Sequence, residues 1–238
     1  MIEARKISKR FGLKRVLHDL DFKVPDGGCV ALLGPNGSGK TTLLRILASL
    51  TKVDEGEVWI DGYRLSDQAA LARGRVGFVS HQPLLYGDLT AKENLQFYGR
   101  MYGISDIQQR TAQVLELVGL YPRQADLVRT FSRGMGQRLA IARAILHQPQ
   151  VLLFDEPHTG LDPDSVSMLD NILLDMSRQG HTLVISSHDP VHVADLVSRF
   201  DVLSEGELIT SKGVEEIGVE HALAFYRDAV MGKGERRG

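Results

Sequence analysis

A glycine-rich loop of eight residues constrains the fold of this chain more than any other part of its sequence. It reads Gly34-Pro35-Asn36-Gly37-Ser38-Gly39-Lys40-Thr41. This order satisfies the P-loop pattern, in which glycines and a Lys-Thr pair occupy fixed positions. The loop follows an apolar run, 29–33, and precedes apolar residues at helical spacing over 41–50. A strand, a loop and a helix in this order indicate a phosphate site, whereas a glycine-rich turn without a ligand is the alternative.

The residue types in the loop explain how it would hold a nucleotide. Glycines let the backbone approach the phosphates closely, and the N–H groups at the start of the following helix then face an anion. Lys40 adds a positive charge towards the β- and γ-phosphates, and the Thr41 hydroxyl is a ligand for Mg²⁺. The sequence therefore predicts nucleotide binding, with ATP and Mg²⁺ as the expected ligands.

Short apolar runs alternate with helical patterns along most of the chain. The runs rich in Val, Ile and Leu are 29–33, 76–79, 151–154 and 183–185, and the helical patterns cover 41–50, 137–147 and 163–178. Such runs are typical of strands that are covered on both faces of a parallel sheet. Because strand and helix alternate, α/β is the predicted fold class.

Three kinds of segment depart from this alternation. From about 83 to 147, helical spacing persists without an intervening strand, which predicts a helical subdomain inserted into the core. Shorter β-like segments between turn dipeptides are expected to pair antiparallel, at 4–8, 16–24, 56–60, 202–203 and 207–210. The last residues, 232–238, are rich in glycine and charge, which predicts a frayed tail.

Composition excludes several classes of protein. Cys29 is the single cysteine, so the sequence offers no intrachain disulfide and no thiolate metal cluster, and its apolar neighbours predict a buried thiol. A net charge of -2 provides no general excess of basic residues, so nucleic acid is not an expected partner. Apolar runs never reach about 18 residues without a charge, so we expect that the chain itself does not cross a membrane.

Two consecutive carboxylates follow the apolar run 151–154. Asp155 ends this predicted strand, and in P-loop ATPases an aspartate at this place helps to hold Mg²⁺. Glu156 is the next residue outward, placed to orient or deprotonate an attacking water, a contribution of roughly 10² to 10⁴ in rate. Two solvated acids are the alternative, but the buried strand positions this pair, so hydrolysis is predicted.

Gln82 and His188 also follow apolar strands, at 75–80 and 182–187. In an open parallel sheet the carboxyl ends of the strands gather around the ligand, which makes both residues candidate sensors of the γ-phosphate. A single histidine is more often a surface or hydrogen-bonded structural residue. We interpret the other histidines in this way, namely His18, His81, His147, His158, His181, His192 and His221.

Six sequence elements in one order carry a resemblance to a known family. The loop 34–41 matches the Walker A motif, Gln82 the Q-loop, 131–135 the signature, 151–156 the Walker B strand, 160–162 the D-loop and His188 the switch histidine. In this combination the chain resembles the nucleotide-binding subunit of ABC transporters, from Ile2 to about Gly213. The resemblance implies an α/β P-loop NTPase (RecA-like) core with an antiparallel β subdomain and an inserted helical subdomain.

The resemblance also implies domain boundaries. Residues 1–231 would form a single ABC ATPase domain. Within it, 1–82 and 149–212 would form the core and the β subdomain, and 83–148 the helical subdomain. Residues 213–238 would contain a C-terminal helix and the frayed tail.

For the chain's own nucleotide, the family implies a set of ligands around the loop. The ATP-binding residues would be Gly34, Pro35, Asn36, Gly37, Ser38, Gly39, Lys40, Thr41 and Thr42. Phe11 stands where the family usually has a tyrosine that stacks on adenine, and a core aromatic is the alternative for it. Thr41, Gln82 and Asp155 would be the Mg²⁺ ligands. Glu156, His188 and Gln82 would be the catalytic residues, with His188 contacting the γ-phosphate.

The family also implies a second cassette. Ser132 and Gly134, at the start of the helix 137–147, would address the γ-phosphate of ATP held by the partner. Two cassettes would then meet head to tail, as a homodimer or heterodimer, with Asp162 communicating between them.

The signature differs from the common Leu-Ser-Gly-Gly-Gln form at Phe131, Arg133 and Met135. With the residues that follow, to Arg138, it resembles ABC-2 exporters and the haem exporter subunit of cytochrome c maturation. Aromatic residues between Gln82 and the signature fall where the family docks its membrane partner, namely Tyr86, Phe97, Tyr98 and Tyr102. The alternative is packing within the helical subdomain, with Phe97 and Met101 on one buried face.

The resemblance favours one function over two alternatives. The chain would be the ATP-hydrolysing subunit of an ABC transporter, peripheral at the cytoplasmic face of the cell (inner) membrane and bound to separate transmembrane permease subunits. The signature favours export, with haem among the cargoes. A soluble ABC-family ATPase acting on ribosomes or nucleic acid usually has two cassettes or added domains. A scaffold that binds ATP without turnover would require a damaged base or sensor, whereas Glu156 and His188 are both present.

Overall fold

Two β-sheets, the larger one flanked by helices, form the architecture of the chain. The computed structural model describes residues 1–235, with side chains as far as Gly232. The strands are β1 (Ile2–Phe11), β2 (Lys14–Val24), β3 (Cys29–Leu33), β4 (Glu55–Ile60), β5 (Tyr63–Arg64), β6 (Val76–Val79), β7 (Val151–Asp155), β8 (Thr182–Ser187), β9 (Arg199–Ser204) and β10 (Glu207–Gly213). The helices are α1 (Lys40–Leu47), α2 (Ala69–Arg73), α3 (Ala91–Met101), α4 (Ile107–Leu117), α5 (Arg133–Ile145), α6 (Pro163–Arg178), α7 (Pro190–Val193), α8 (Val214–Ile217) and α9 (Ala222–Glu235).

The larger sheet contains the predicted buried strands. Its order is β10-β9-β3-β8-β7-β6, in which β10 pairs antiparallel with β9 and all other pairs are parallel. Every residue of β3, β7 and β8 is buried, as expected for strands covered on both faces. Cys29 is buried as predicted, and burial raises the pKa of its thiol to about 12. The α/β fold class is confirmed.

Strand β3 divides its side chains between two hydrophobic cores. Successive residues of a strand point to opposite faces, so Leu32 joins one core and Ala31 and Leu33 the other. The first core contains α1 and the smaller sheet, whose order is β2-β1-β4-β5 and whose pairs are antiparallel, as predicted. The second core contains residues of α4, α5 and α6. The loop after β3 is therefore supported from both sides.

The chain between β6 and β7 is helical apart from loops. Over these residues, all of which are described, α3, α4 and α5 form and no strand intervenes. Thr90 begins α3 with a capping box, in which its hydroxyl accepts the Glu93 N–H and the Glu93 carboxylate accepts the Thr90 N–H. The buried Asn94 side chain binds the backbone of the preceding loop, at Tyr86 and Thr90. These bonds fix the loop against α3.

The buried face of α3 differs from the one that the alternative interpretation of its aromatic residues requires. That alternative places Phe97 and Met101 on one buried face, but Phe97 is 37% and Met101 70% exposed. The buried residues of α3 are instead Ala91, Asn94, Leu95 and Gly99. A Cβ on Gly99 would lie 2.4 Å from Ile107 Cδ1, so a larger residue at this position would require the Ile107 side chain of α4 to shift. Met101 therefore lies on the solvent-facing side of α3.

Helix α9 packs on the larger sheet, where the Phe225 ring stacks on Phe200 of β9 with 6.2 Å between centroids. Where the sequence predicts a frayed tail from 232, the structure continues the helix to Glu235, and the remaining predicted tail, 236–238, lies outside the described residues. In the part of the chain that the structure describes, no helix combines the length and the apolar character needed to span a bilayer.

Candidate functional site

The phosphate loop connects β3 to α1, and two of its glycines are sterically required. A Cβ on Gly34 would lie 2.2 Å from the carbonyl oxygen of Leu203 in β9, which is too close for any side chain. Gly39, the residue before α1, has a φ of 113°, in the region that favours glycine. The other predicted ligands of this segment are exposed or half-buried, namely Pro35, Asn36, Gly37, Thr41 and Thr42.

The start of α1 offers a positive environment to the loop. Within α1, which is described throughout, the first turn contains no acidic residue and Gly39 provides no side-chain cap, so the first N–H groups can bind an anion. The Lys40 ammonium is buried and donates to the carbonyl oxygens of Gly34 at 2.7 Å and Pro35 at 3.3 Å. Among the described residues, the buried Ser38 hydroxyl has no hydrogen-bond partner, which a bound phosphate would supply. The loop therefore fits an anionic ligand.

Asp155 at the end of β7 lies beside Thr41 of α1. The Thr41 hydroxyl donates to Asp155 Oδ1 at 3.0 Å, which brings two of the predicted Mg²⁺ ligands together. The buried Ser186 hydroxyl of β8 donates to the same carboxylate oxygen at 2.9 Å and accepts the Glu156 N–H at 2.9 Å. Sequence analysis misses Ser186. The signal that could have found it is strand register, since Asp155 and Ser186 are partners in the parallel β7–β8 pair.

Glu156 lies between the ammonium of Lys40 and the ring of His188. Its Oε1 is 3.4 Å from Lys40 Nζ, and its Oε2 is 3.5 Å from His188 Nδ1. Its φ is 50°, a left-handed conformation that costs a non-glycine residue about 1–2 kcal/mol. The bond from its N–H to Ser186 holds this conformation. The structure therefore brings the predicted base, the loop lysine and the switch histidine together.

Gln82 and Ser132 line one open groove together with Glu156. The groove has a volume of about 660 Å³, and its walls come from the loop after β6, the start of α5 and the end of β7. Ser132 is exposed and caps α5, where its hydroxyl accepts the Met135 N–H at 3.2 Å. An open groove of this size leaves Ser132 and Gln82 accessible to a large ligand.

Gly134 and Asp162 lie at the contact between α5 and α6, and neither is among the described residues that line this groove. A Cβ on Gly134 would lie 2.4 Å from Ser165 Oγ, so the residue is buried against α6. Asp162 caps α6 by accepting the Ser165 N–H at 2.9 Å and its hydroxyl at 3.0 Å, which lowers the pKa of the Asp162 carboxyl group. The Asp162 side chain thus orders the start of α6.

Phe11 ends β1 on the smaller sheet and is 54% exposed. The alternative of a core aromatic is therefore wrong. The Lys9 ammonium lies 5.4 Å from the centroid of the Phe11 ring. The ring remains accessible to a stacking partner.

The aromatic residues of the helical segment form a partly exposed cluster. Ring centroids are 5.1 Å apart for Tyr86 and Phe97 and 5.4 Å apart for Phe97 and Tyr98. The Tyr98 hydroxyl donates to the Leu84 carbonyl at 2.6 Å, which ties α3 to the loop after β6 that contains Gln82. Tyr102 stacks instead on His147, with 3.8 Å between centroids.

Comparisons with known proteins find a family model and curated relatives that match this chain. Residues 17–159 match a family model described as ABC transporter. The linearmycin resistance ATP-binding protein LnrL of Bacillus subtilis is 36% identical over 211 residues, which cover 88% of this chain and 68% of that protein. The ABC transporter ATP-binding protein NatA of the same species is 35% identical over 224 residues, and the match covers 91% of each chain. The Nod factor export ATP-binding protein I of Paraburkholderia xenovorans is 36% identical over 241 residues, which cover 98% of this chain and 79% of that protein.

Solved structures extend the likeness to the whole fold. A structure described as the ATP binding subunit of an ABC transporter superposes with a TM-score of 0.84 at 28% identity, over 98% of this chain and 97% of that one. A dimeric ATP-binding cassette in a post-hydrolysis state, bound to ADP and Pi, superposes with a TM-score of 0.82 at 28% identity, over 90% of this chain and 99% of that one.

Proposed function

Because the chain belongs to the ABC transporter family as an ATP-binding subunit, we propose that it hydrolyses ATP to drive export through separate transmembrane subunits. The observation that carries the proposal is the position of Glu156, whose carboxylate lies 3.4 Å from the loop lysine and 3.5 Å from His188. A carboxylate at the mouth of a phosphate loop is placed to act on the water that attacks the γ-phosphate.

Nucleotide binding uses the groups that the loop already directs inward. Lys40, the first N–H groups of α1 and the Ser38 hydroxyl hold the phosphates, because each is a donor or a positive charge close to the loop. Phe11 stacks on the adenine through its exposed ring. The other loop residues named above contribute backbone donors, apart from Pro35, which has no backbone N–H.

Mg²⁺ is the proposed cofactor, and Thr41, Asp155 and Gln82 are its proposed ligands. Thr41 Oγ1 and Asp155 Oδ1 lie 3.0 Å apart, and oxygen donors of this kind are those that Mg²⁺ prefers. When bound, Mg²⁺ neutralises part of the charge on the phosphates. Asp155 keeps a fixed orientation because the Thr41 and Ser186 hydroxyl groups both donate to it.

Hydrolysis depends on Glu156, with His188 and Gln82 as its neighbours. Glu156 orients the attacking water and accepts its proton at a carboxylate oxygen. His188 is 57% exposed, so its ring can reach the γ-phosphate from the open side while Nδ1 stays near Glu156. Gln82 borders the same groove and senses the phosphate or the metal.

A second cassette completes each site. Ser132 is exposed at the start of α5, as a contact to the partner's ATP requires, and buried Gly134 contributes through its backbone. Asp162 orders the adjacent start of α6 and so links the signature to the interface. The similarity to a dimeric cassette bound to ADP and Pi supports this arrangement. Residues 83–148 then act as the helical subdomain that moves with the signature.

The proposed location is the cytoplasmic face of the cell (inner) membrane, and the names of the relatives support export as the direction of transport. One relative is named for Nod factor export, which is outward transport, and another for linearmycin resistance. The partly exposed cluster of Tyr86, Phe97 and Tyr98 lies beside the Gln82 loop and forms the proposed contact to the permease. Selectivity for cargo belongs to that permease, and haem is a candidate on the signature alone.

The first test replaces the proposed base by its isostere. We expect Glu156→Gln to keep ATP binding and to lose ATP turnover by about 100-fold or more. The matched control is Glu116→Gln, an exposed position on α4, which should keep turnover within about twofold. Phosphate release at saturating Mg²⁺ and ATP measures both. Turnover of Glu156→Gln close to that of the wild type would remove the assignment of the base.

The second test addresses transport. The Glu156→Gln protein with ATP is used to capture partners from detergent-solubilised native membranes, and mass spectrometry identifies them. A multi-span membrane protein is the expected partner. Ribosomes or nucleic acid without a membrane protein would instead favour a soluble ATPase of the same family.

A further inference from the structure

Two histidines and an aspartate from three separate segments converge beside the active site. His158 follows β7, Asp170 lies in α6 and His192 in α7. His158 Nε2 is 2.8 Å from Asp170 Oδ1, and His192 Nε2 is 3.7 Å from Asp170 Oδ2. One ligand atom from each residue can be chosen so that all three lie within 4.8 Å of one another. We propose that His158, Asp170 and His192 form a binding site for a divalent transition-metal ion such as Zn²⁺, separate from the proposed Mg²⁺ site.

The type and spacing of these ligands suit such an ion. Imidazole nitrogen and carboxylate oxygen are common Zn²⁺ ligands, and three protein ligands leave a fourth position for water. With bonds of about 2.0–2.2 Å in a tetrahedron, neighbouring ligand atoms lie roughly 3.3–3.6 Å apart. The two histidines approach different oxygens of the Asp170 carboxylate, at 2.8 Å from Oδ1 and 3.7 Å from Oδ2, and with one ligand atom from each residue the set lies within 4.8 Å. Combined side-chain shifts of about 1–1.5 Å would complete the geometry.

The environment of the three side chains is also that of a ligand site. They are largely buried, with exposed fractions of 14% for His158, 26% for Asp170 and 31% for His192. The two imidazole rings are 4.4 Å apart between centroids. Burial lowers the pKa of His158, although its bond to Asp170 acts in the opposite direction, so the ring favours the neutral form that binds metals.

A purely structural role explains only part of this cluster. The bond from His158 to Asp170 would by itself anchor the segment after β7. It does not explain His192, whose Nε2 is buried against the same carboxylate and, among the residues that the structure describes, has no hydrogen-bond partner. A buried imidazole nitrogen without a partner is costly, and a metal ion shared with Asp170 would satisfy it.

Occupancy of this site would join two catalytic segments, a consequence that rests on the proposed function. His158 is in the segment after Glu156, and His192 is in the short helix after His188. Asp189 Oδ1 accepts the His192 N–H at 3.3 Å, so this helix is tied to the His188 segment. A cavity of about 200 Å³ is lined by both Glu156 and His188 and by both histidines of the cluster. We expect the bound ion to restrict these segments and to lower ATP turnover.

Binding is tested on the full chain without nucleotide and with excess Mg²⁺, so that it does not depend on ATPase activity. Zn²⁺ affinity is measured by competition against a chromophoric chelator, and Co²⁺ is added to record the absorption spectrum of a tetrahedral site. We expect His158→Asn with His192→Asn, and separately Asp170→Asn, to weaken Zn²⁺ binding by about 100-fold, because loss of even an outer-shell partner costs 10–100-fold. His221→Gln, at an exposed position before α9, is the matched control and should bind as the wild type does.

Two outcomes would overturn the proposal. One is Zn²⁺ binding by the double variant within about threefold of the wild type, since a ligand loss should cost far more. The other is equal loss of binding in Glu156→Gln, which would assign the ion to Glu156 and His188 instead. Asp170→Asn keeps the test decisive if the double variant does not fold. If Zn²⁺ binds as expected but does not inhibit the ATPase, the site stands and only its proposed effect on turnover fails.

Discussion

Ser186 is expected to be the most important residue of the site that does not touch the substrate. Its hydroxyl donates to Asp155 Oδ1 and accepts the Glu156 N–H, each at 2.9 Å, and the residue is fully buried. In Ser186→Ala, water cannot replace the hydroxyl, so the Glu156 N–H is left unsatisfied. Asp155 keeps its bond from Thr41 and is therefore not left without a donor.

The magnitude follows from these two bonds. A buried N–H without a partner costs about 1–3 kcal/mol, and a hydrogen bond to a charged group contributes about 1.5–3 kcal/mol. Because the two effects share one hydroxyl, we expect Ser186→Ala to lower the free energy of unfolding by about 3 kcal/mol. Glu156 also loses the bond that holds its left-handed backbone. A displacement of its carboxylate by about 1 Å should reduce turnover on the order of 100-fold.

Urea unfolding and steady-state ATP hydrolysis measure the two effects on the same protein. Ser198→Ala is the matched control, because its exposed hydroxyl donates to the Cys29 carbonyl at 2.9 Å, at the opposite end of β3 from the loop. We expect Ser198→Ala to lower the free energy of unfolding by less than about 1 kcal/mol and to leave ATP turnover unchanged. Ser186→Ala with a stability within about 0.5 kcal/mol of the wild type and normal turnover would refute the reasoning.

Two further predictions concern the helical segment. Asn94 is fully buried, and its side chain binds the Tyr86 N–H and the carbonyl groups of Tyr86 and Thr90. Asn94→Ala should therefore lower the free energy of unfolding in urea by about 3 kcal/mol, and a decrease of less than about 1 kcal/mol would contradict that role. Burial lowers the pKa of His147 from 6.5 to about 4, so the unfolded chain takes up the proton first as the pH falls. Above pH 6.5 the titration of His147 does not change the free energy of unfolding. Between pH 6.5 and 4 it lowers the free energy of unfolding by about 3 kcal/mol. His147→Gln should remove this part of the pH dependence, and identical pH profiles of unfolding for the variant and the wild type would be incompatible with it.

Local sequence patterns predict the strands, helices and loops whose residues are contiguous in the chain. The apolar run of β3, the glycines of the loop and the helical spacing of α1 are contiguous, so the sequence alone predicts the strand, loop and helix of the proposed phosphate site. Asp155 and Glu156 are proposed in the same way, because they lie at the end of a buried strand. The sequence does not predict which face of α3 is buried, because that face depends on the packing of Gly99 against Ile107 of α4. Periodicity does not reveal which neighbour a helix meets.

The residues that sequence reasoning misses all depend on contacts between distant segments. Ser186 reaches Asp155 only because β7 and β8 are paired in register. Asp170 lies on a helix with two other acidic residues, Asp164 and Asp175, and has no distinguishing spacing to His158 or His192. Considered one at a time, the two histidines are therefore predicted as structural residues, although the fold places them around one carboxylate.

The left-handed backbone of Glu156 has a consequence for how this position can vary. With a φ of 50°, glycine or asparagine would fit the conformation with less strain than glutamate. Selection for stability alone would therefore favour replacement of the acid at this position, whereas selection for turnover would retain it. Because Glu156 is the proposed base, we expect a library of variants sorted by thermal resistance to favour substitutions here that lower turnover.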